Sequence, residues 1–292
     1  MFMAKGKAKV GGLTVARHVV QVVMACLFCV PLFAAGWTVL GRYAGGDDAV
    51  ATPSELPVWG SLSSSQILGI DLLDPFAALQ VIVASKSVAS AMLWVLPILI
   101  LYVLIRGRVF CGWVCPVNLF LEVVDWIRGR LGIKVSEMPV PRWVKPVVAA
   151  AVLVLSAIVS VPIFEMVSPV GALNRAILFG STLGLWTLVA IVIVELFWGH
   201  RVWCRSLCPL GGFYQTIGAV GLLSVKIDHD ACISCNLCKK ACLCDPSILD
   251  AAVAGEADRV ASGDCMLCGK CVDHCPKDAL KIGVAVPKDL SL

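Results

Sequence analysis

Between Cys232 and Pro276 the chain places eight cysteines in two runs of identical spacing. The first is Cys232-Ile-Ser-Cys235-Asn-Leu-Cys238-Lys-Lys-Ala-Cys242, and the second is Cys265-Met-Leu-Cys268-Gly-Lys-Cys271-Val-Asp-His-Cys275-Pro276. Each reads C-x2-C-x2-C-x3-C, the bacterial run that ligates [4Fe–4S] clusters. Three thiolates so spaced in a tight loop cap three irons of one cube, and the fourth cysteine, on chain that has turned away, serves the other cube. Spacing therefore groups Cys232, Cys235 and Cys238 with Cys275, and Cys265, Cys268 and Cys271 with Cys242. The second run ends in Cys275-Pro276, as such runs do, whereas Cys242 is followed by Leu243-Cys244-Asp245-Pro246. Either Cys242 or Cys244 then supplies the fourth ligand, and spacing favours Cys242.

Other thiol chemistries fit this pattern less well. Zinc sites draw on dispersed ligand pairs rather than on two dense runs of four cysteines. A disulfide framework needs an oxidising compartment, and the charge pattern described below places this segment in the cytoplasm.

Four further cysteines stand in an internal repeat. Arg108-Val-Phe-Cys111-Gly-Trp-Val-Cys115-Pro116-Val-Asn-Leu-Phe120 matches Arg201-Val-Trp-Cys204-Arg-Ser-Leu-Cys208-Pro209-Leu-Gly-Gly-Phe213. Upstream, Asp74-Pro-Phe-Ala-Ala-Leu79-Gln80 matches Ser168-Pro-Val-Gly-Ala-Leu173-Asn174. Residues four apart share a face of a helical turn, and the proline after the second cysteine suits the first turn of a new helix. Cys111, Cys115, Cys204 and Cys208 are therefore candidate redox thiols. Gathered together they would suit a further iron–sulfur centre, another metal or a redox-active dithiol; small buried cysteines also simply pack.

The elements that would position these groups are apolar. Of 292 residues 59% are hydrophobic and 15% charged, and the chain carries 15 cysteines. Apolar stretches at about 19–40, 88–105, 147–166 and 181–198 approach the roughly 20 residues that cross a bilayer, with Pro97 a predicted kink. No cleavable signal peptide is evident, because the first apolar run starts after Arg17-His18 and has spanning length. The net charge of +4 matters less than its distribution. Residues 1–18 hold Lys5, Lys7, Lys9 and Arg17 with no acid; residues 106–146 hold seven Lys and Arg against three acids; residues 41–87 hold five acids against two bases. The positive-inside rule then puts both termini and the 106–146 loop in the cytoplasm. The expected fold class is an α-helical membrane protein with four transmembrane helices, arranged as two tandem two-helix repeats, and a C-terminal α+β two-cluster ferredoxin-like domain. The expected domains are a cytoplasmic N-terminal segment 1–18, a four-helix membrane domain 19–223 bearing both Cys-x3-Cys-Pro motifs, and a cytoplasmic two-cluster domain 224–292.

Smaller expectations follow. Ile67 to Val83 reads as an interfacial helix on the outer surface, and 117–131 as an amphipathic helix with Leu119, Val123, Trp126 and Ile127 on one face, partnered by membrane lipid. Cys26 and Cys29 read as core residues of the first span. His18 and His200 fall at the cytoplasmic interface, and no histidine lies at mid-membrane depth, which argues against bis-His haem. Glu165 and Glu195 are the acids nearest the apolar zone and are candidate proton acceptors.

Four spans, Cys-x3-Cys-Pro elements after the second and fourth, and the doubled cluster run together resemble the NapH family, the ferredoxin-type quinol dehydrogenase membrane components of periplasmic nitrate reduction. The resemblance covers nearly the whole chain. It implies an oxidoreductase subunit of the bacterial inner membrane that takes part in oxidising quinol and passes electrons towards the periplasmic nitrate reductase. Two [4Fe–4S] clusters are the implied cofactors and quinol the substrate. The implied partners are a periplasmic iron–sulfur protein of the NapG type and a membrane c-type cytochrome, with no nucleic acid. Carried onto this sequence, the ligands are Cys232, Cys235, Cys238, Cys275, Cys265, Cys268, Cys271 and Cys242, and Cys111, Cys115, Cys204 and Cys208 form the family's membrane motif. Methylamine-utilisation ferredoxin-type proteins share this architecture. So does the rival class, a membrane-bound maturation factor that reduces a metal or a disulfide for a respiratory enzyme.

Overall fold

Proline, glycine and serine punctuate the apolar stretches, and left-handed Gly132 and Ser160 end two of the helices that form. The computed structural model describes residues 11–43, 58–60, 63–67, 70–88, 94–133, 141–172 and 183–284. Helix α1 spans Gly12–Tyr43. Strands β1 (Val58–Gly60), β2 (Ser64–Ile67) and β3 (Ile70–Leu73) form an antiparallel sheet in that order. Helix α2 (Pro75–Ser85) follows, its start fixed by Asp74, whose carboxylate accepts from the amides of Phe76 and Ala77. Next come α3 (Val95–Ile105), a π-helix at Phe110–Val114, α4 (Pro116–Leu131), α5 (Val144–Val159), α6 (Ile163–Val167) and α7 (Leu183–Phe197). A second π-helix at Trp203–Leu207, α8 (Pro209–Ile217), β4 (Leu223–Ile227), α9 (Leu237–Ala241), α10 (Asp250–Ala254), α11 (Lys270–Asp273) and β5 (Leu280–Val284) complete the order.

The expected four transmembrane helices are overturned. Among the described residues no helix is long and apolar enough to cross a membrane. Helices α3, α5 and α7 have 11, 16 and 15 residues, short of the roughly 20 that a bilayer requires. The 147–166 stretch is cut where Ser160 turns left-handed, at φ 57, and where Pro162 brings no amide to continue the ladder. Pro97 does not kink a span; it sits in the first turn of α3, where a missing N–H breaks no bond. Helix α1 has 32 residues, but its described side chains include Arg17 and Gln21, both fully buried. The expected interfacial helix over Ile67 to Val83 is also corrected, since the chain pairs as a strand up to Leu73 and turns helical only from Pro75.

The chain forms two compact units. The first comprises Met1–Val20, Tyr102–Val114 and Tyr214–Leu292, and the second Gln21–Leu101 and Cys115–Phe213. In the first, β4 and β5 pair antiparallel from Leu223↔Val284 to Ile227↔Leu280, which brings the two ends of the cysteine-rich segment together. Val225, Leu249, Val260, Met266 and Leu280 form its core. Tyr102, Phe110 and Tyr214 pack as an aromatic trio with centroids 5.3 to 5.8 Å apart.

In the second unit Phe76, Ala149 and Phe164 form one core and Val117, Leu121 and Ile191 another. The buried Gln80 accepts from the Phe164 amide at 3.1 Å. The polarity of this unit runs inwards. Helix α4 buries Asn118 while exposing Val123, Trp126 and Ile127, and α5 and α7 leave Ile158 and Phe197 more than 70% exposed.

Candidate metal centre

Two pockets in the first unit are lined by thiols. The first is bordered by Cys232, Cys235, Cys238 and Cys275 together with Ile227, Val253 and Leu280. The second is bordered by Cys242, Cys244, Cys265, Cys268 and Cys271 with Val225, Leu249 and Val260. Each run thus sends its last cysteine across to the other run's pocket. The short helices do this: α9 starts beside Cys235 and ends at Cys242, and α11 starts beside Cys268 and leads to Cys275.

The backbone is shaped for an anion in both loops. Ser234 and Asn236 flank Cys235 with φ of 49° and 59°, and Leu267 and Gly269 flank Cys268 with φ of 48° and 74°. Left-handed residues alternating with right-handed ones turn successive amides towards one concavity, the nest found at many iron–sulfur sites. The thiols themselves need a cation. Burial, then the neighbouring Cys244, pushes the Cys265 thiol up to about 12. Burial followed by Cys268 and Cys265 raises Cys271 well above its ordinary value. A hydrogen bond with Cys244, added to burial, does the same for Cys242. Such thiols ionise together only when a metal compensates the charge. Among the described residues no three His, Cys, Asp or Glu side chains converge on a single ion, whereas a cube takes its thiolates at separate corners. A sulfur-only donor set fits an iron–sulfur cluster.

The first Cys-x3-Cys element is fastened to the second loop. Arg108 pairs with Asp264 at 2.7 Å and also donates to its backbone carbonyl at 2.8 Å. Arg106 donates to the carbonyls of Leu223, Val260, Ala261 and Ser262 at 2.7 to 3.0 Å. Trp113 Nε1 donates to the Leu267 carbonyl at 3.0 Å. A Cβ at Gly112 would stand 2.7 Å from the Met266 oxygen, so glycine permits the close approach. Cys111, between these anchors, packs half-buried against the core that contains Cys265 and Cys268. From the other side Thr14, in the first turn of α1, donates its amide and hydroxyl to Asp273 at 2.7 and 2.5 Å.

The second element lies in the second unit. Cys115 is the extended residue before α4, and Cys208 the extended residue before α8, each followed by the proline of the helix. Cys208 Sγ accepts from the Gly211 amide at 3.4 Å. Cys115 and Cys204 pack half-buried against the same core of Val117, Leu121 and Ile191. The four repeat cysteines do not form a set within either unit, because Cys111 belongs to the first and Cys115, Cys204 and Cys208 to the second. Both elements are π-helical rather than α-helical, a form that often marks functional sites.

Arg201, the repeat partner of Arg108, is fully buried and left-handed at φ 56. It donates to Asn118 Oδ1 and, at 3.0 Å, to Asp125 Oδ2. His200 Nδ1 stands 3.0 Å from Asp125 Oδ1 and 2.9 Å from Arg128. Burial alone would raise Asp125, but its contacts with His200 and Arg201 hold the carboxyl below its usual range. Glu195, 2% exposed, accepts from the Trp203 amide at 2.9 Å. Sequence reasoning missed these anchors and left His200 at an interface. The available signal was that an arginine opens both copies of the repeat. Cys26 is exposed rather than part of a core, and the side chain of Cys29 lies outside the described residues.

Comparisons with known proteins agree with this chemistry. A 4Fe-4S binding domain matches residues 88–134 and 181–228, one copy on each Cys-x3-Cys-Pro element, and a 4Fe-4S dicluster domain matches residues 224–276. The ferredoxin-type protein NapH of Escherichia coli is 33% identical over 77% of this chain and 80% of its own. The methylamine utilization ferredoxin-type protein MauN of Methylorubrum extorquens is 32% identical over 77% and 80%, and that of Paracoccus denitrificans 36% over 70% and 74%. No solved structure matches. The molecule is an iron–sulfur protein of the electron-transferring, ferredoxin type, and it belongs to the family that includes NapH and MauN.

Proposed function

We propose that the protein takes electrons from membrane quinol and passes them through two [4Fe–4S] clusters towards a periplasmic reductase, by way of a periplasmic iron–sulfur partner. The observation that carries this reading is the crossing of the two cysteine runs into two thiol-lined pockets of one unit. Cys232, Cys235, Cys238 and Cys275 hold one cluster, and Cys265, Cys268, Cys271 and Cys242 the other. Each cluster, when bound, supplies one-electron chemistry whose potential depends on hydrogen bonding and solvent exposure. The chain's own residues set those conditions. Ile227, Val253 and Leu280 line the first pocket, whose Cys235 is exposed, and Val225, Leu249 and Val260 line the second, whose Cys265 and Cys268 are buried. Arg106, Arg108 and Trp113 hold Cys111 against the second loop. Quinol oxidation also releases protons, and Asp125 with His200 forms a carboxylate–imidazole pair beside the second element.

The exposed apolar side chains of α3, α4, α5 and α7, among them Ile100, Trp126, Ile158 and Phe197, support contact with lipid. We place the protein at the bacterial inner membrane with both termini cytoplasmic. An acceptor in methylamine utilisation is the second reading, favoured by the similarity to MauN at 36% identity. The test is anaerobic. Quinol added to the purified protein should produce the EPR signals of reduced [4Fe–4S] clusters. Clusters that dithionite reduces and quinol does not, with or without the membrane fraction, would overturn the quinol reading.

A further inference from the structure

The second pocket holds five thiols, one more than a [4Fe–4S] cube has irons. Cys244 lines it beside Cys242, Cys265, Cys268 and Cys271, and is only 4% exposed. The first pocket has four cysteines; the chain beyond Cys275 continues as Pro276-Lys277 and brings no fifth. Local structure explains how two residues reach one place. Cys242 caps α9 with φ −64 and ψ 124, and the chain bends at Leu243 and Cys244, so that both thiols stand at the wall of one pocket. Leu243 between them is 3% exposed and belongs to the core. The chain is pinned just beyond, where Asp245 accepts from the Ser247 amide at 3.0 Å. The Cys242 thiol donates to the Asp245 carbonyl at 3.5 Å.

We propose that Cys244 is an alternative cluster ligand, able to replace Cys242 at the fourth corner of the cluster in the second pocket; this rests on the assignment of that pocket to a [4Fe–4S] cluster. The exchange is a ligand substitution. An iron–sulfur bond to Cys242 breaks, one to Cys244 forms, and the proton of the incoming thiol passes to the outgoing one. No electron moves and the total charge is unchanged. The thiol left over remains as a hydrogen-bond donor to a ligating sulfur, so the two forms differ in the surroundings that tune the potential.

The test uses the full chain, purified anaerobically, as wild type, Cys242→Ala, Cys244→Ala, the double variant and Cys268→Ala. Iron and acid-labile sulfide are counted per chain, and dithionite-reduced EPR spectra are recorded. Wild type and both single variants at residues 242 and 244 should keep about eight irons, two cubes' worth, with a changed second-cluster signal in Cys242→Ala. The double variant and Cys268→Ala should fall to about four with the first-pocket signal intact, which also shows that the chain has folded. Cys242→Val, an apolar filling of similar volume, is the second variant should alanine let the pocket collapse. Loss of four irons from both Cys242 variants overturns the proposal, as does loss of four from Cys244→Ala. Absence of clusters from the wild type is a different result and overturns the underlying assignment.

Discussion

Arg108 and Asp264 form an ion pair at 2.7 Å with side chains only 2% and 3% exposed. The pair joins the residue that opens the first Cys-x3-Cys element to the residue just before Cys265. Burying two charges costs desolvation, which their attraction offsets only in good geometry, so such a pair contributes position more than stability. Here it fixes the loop that carries Cys265 and Cys268 to the segment that carries Cys111. The first prediction follows. Arg108→Met should destabilise the protein by about 3–5 kcal/mol because it leaves the Asp264 carboxylate buried without its partner. Arg108→Met with Asp264→Leu should recover most of that loss. Denaturant unfolding checks both, and equal losses in single and double variants would refute the account.

Gly112 offers a sharper test of the same contact. A methyl at that position would stand 2.7 Å from the Met266 carbonyl oxygen, which belongs to the backbone and cannot swing aside. Gly112→Ala should cost about 1–3 kcal/mol by overpacking and should disturb the loop between Cys265 and Cys268. The expected readout is a broadened or shifted second-cluster EPR signal with an unchanged first. Gly129→Ala, where nothing lies within 4 Å, is the control: it should leave both EPR signals unchanged and, as alanine inside a helix, should not destabilise the chain.

Much of the first unit was legible in the sequence because its information is local. The spacing of the cysteine runs grouped Cys232, Cys235 and Cys238 apart from Cys265, Cys268 and Cys271, and those groups line separate pockets. The repeat likewise announced two similar elements, and both are π-helices followed by a proline-led helix. The helix lengths were not legible. Hydropathy averaged over 147–166 is indifferent to a left-handed Ser160, yet that one residue ends α5. The sheet β1–β3 was missed because Ser64-Ser-Gln-Ile67 has no alternating apolar pattern. Arg106 shows the deeper limit: its partners are four backbone carbonyls, and carbonyls leave no trace in a sequence.

The two loops differ in exposure although their spacing is the same. Ile233 is 59% exposed and its counterpart Met266 1%, while Cys235 is exposed and Cys268 9%. Solvent access governs oxidative damage at sulfur. A brief ferricyanide pulse should therefore remove the EPR signal of the first-pocket cluster before that of the second, and peptide mapping with an alkylating reagent should find Cys235 modified before Cys265 and Cys268. Simultaneous loss of both signals would refute the assignment of exposure to function.

Asp125 gives the pH dependence of the second unit. Its carboxyl is held below the usual range by His200 and Arg201 despite burial. An acid whose folded value is depressed binds fewer protons in the folded state than in the unfolded one between the two values. Stability in that window therefore rises with pH. The contribution is complete above the unfolded value near 3.8 and is lost as pH falls through the lower folded value. Asp125→Asn should remove this acid-side dependence and leave Arg201 buried beside a neutral amide, at a cost of about 3–5 kcal/mol at neutral pH. Unfolding midpoints of wild type and variant, measured from neutral pH down to acid, should converge as the wild-type carboxylate takes up its proton. A constant difference across that range would place the stabilisation elsewhere than in the charge of Asp125.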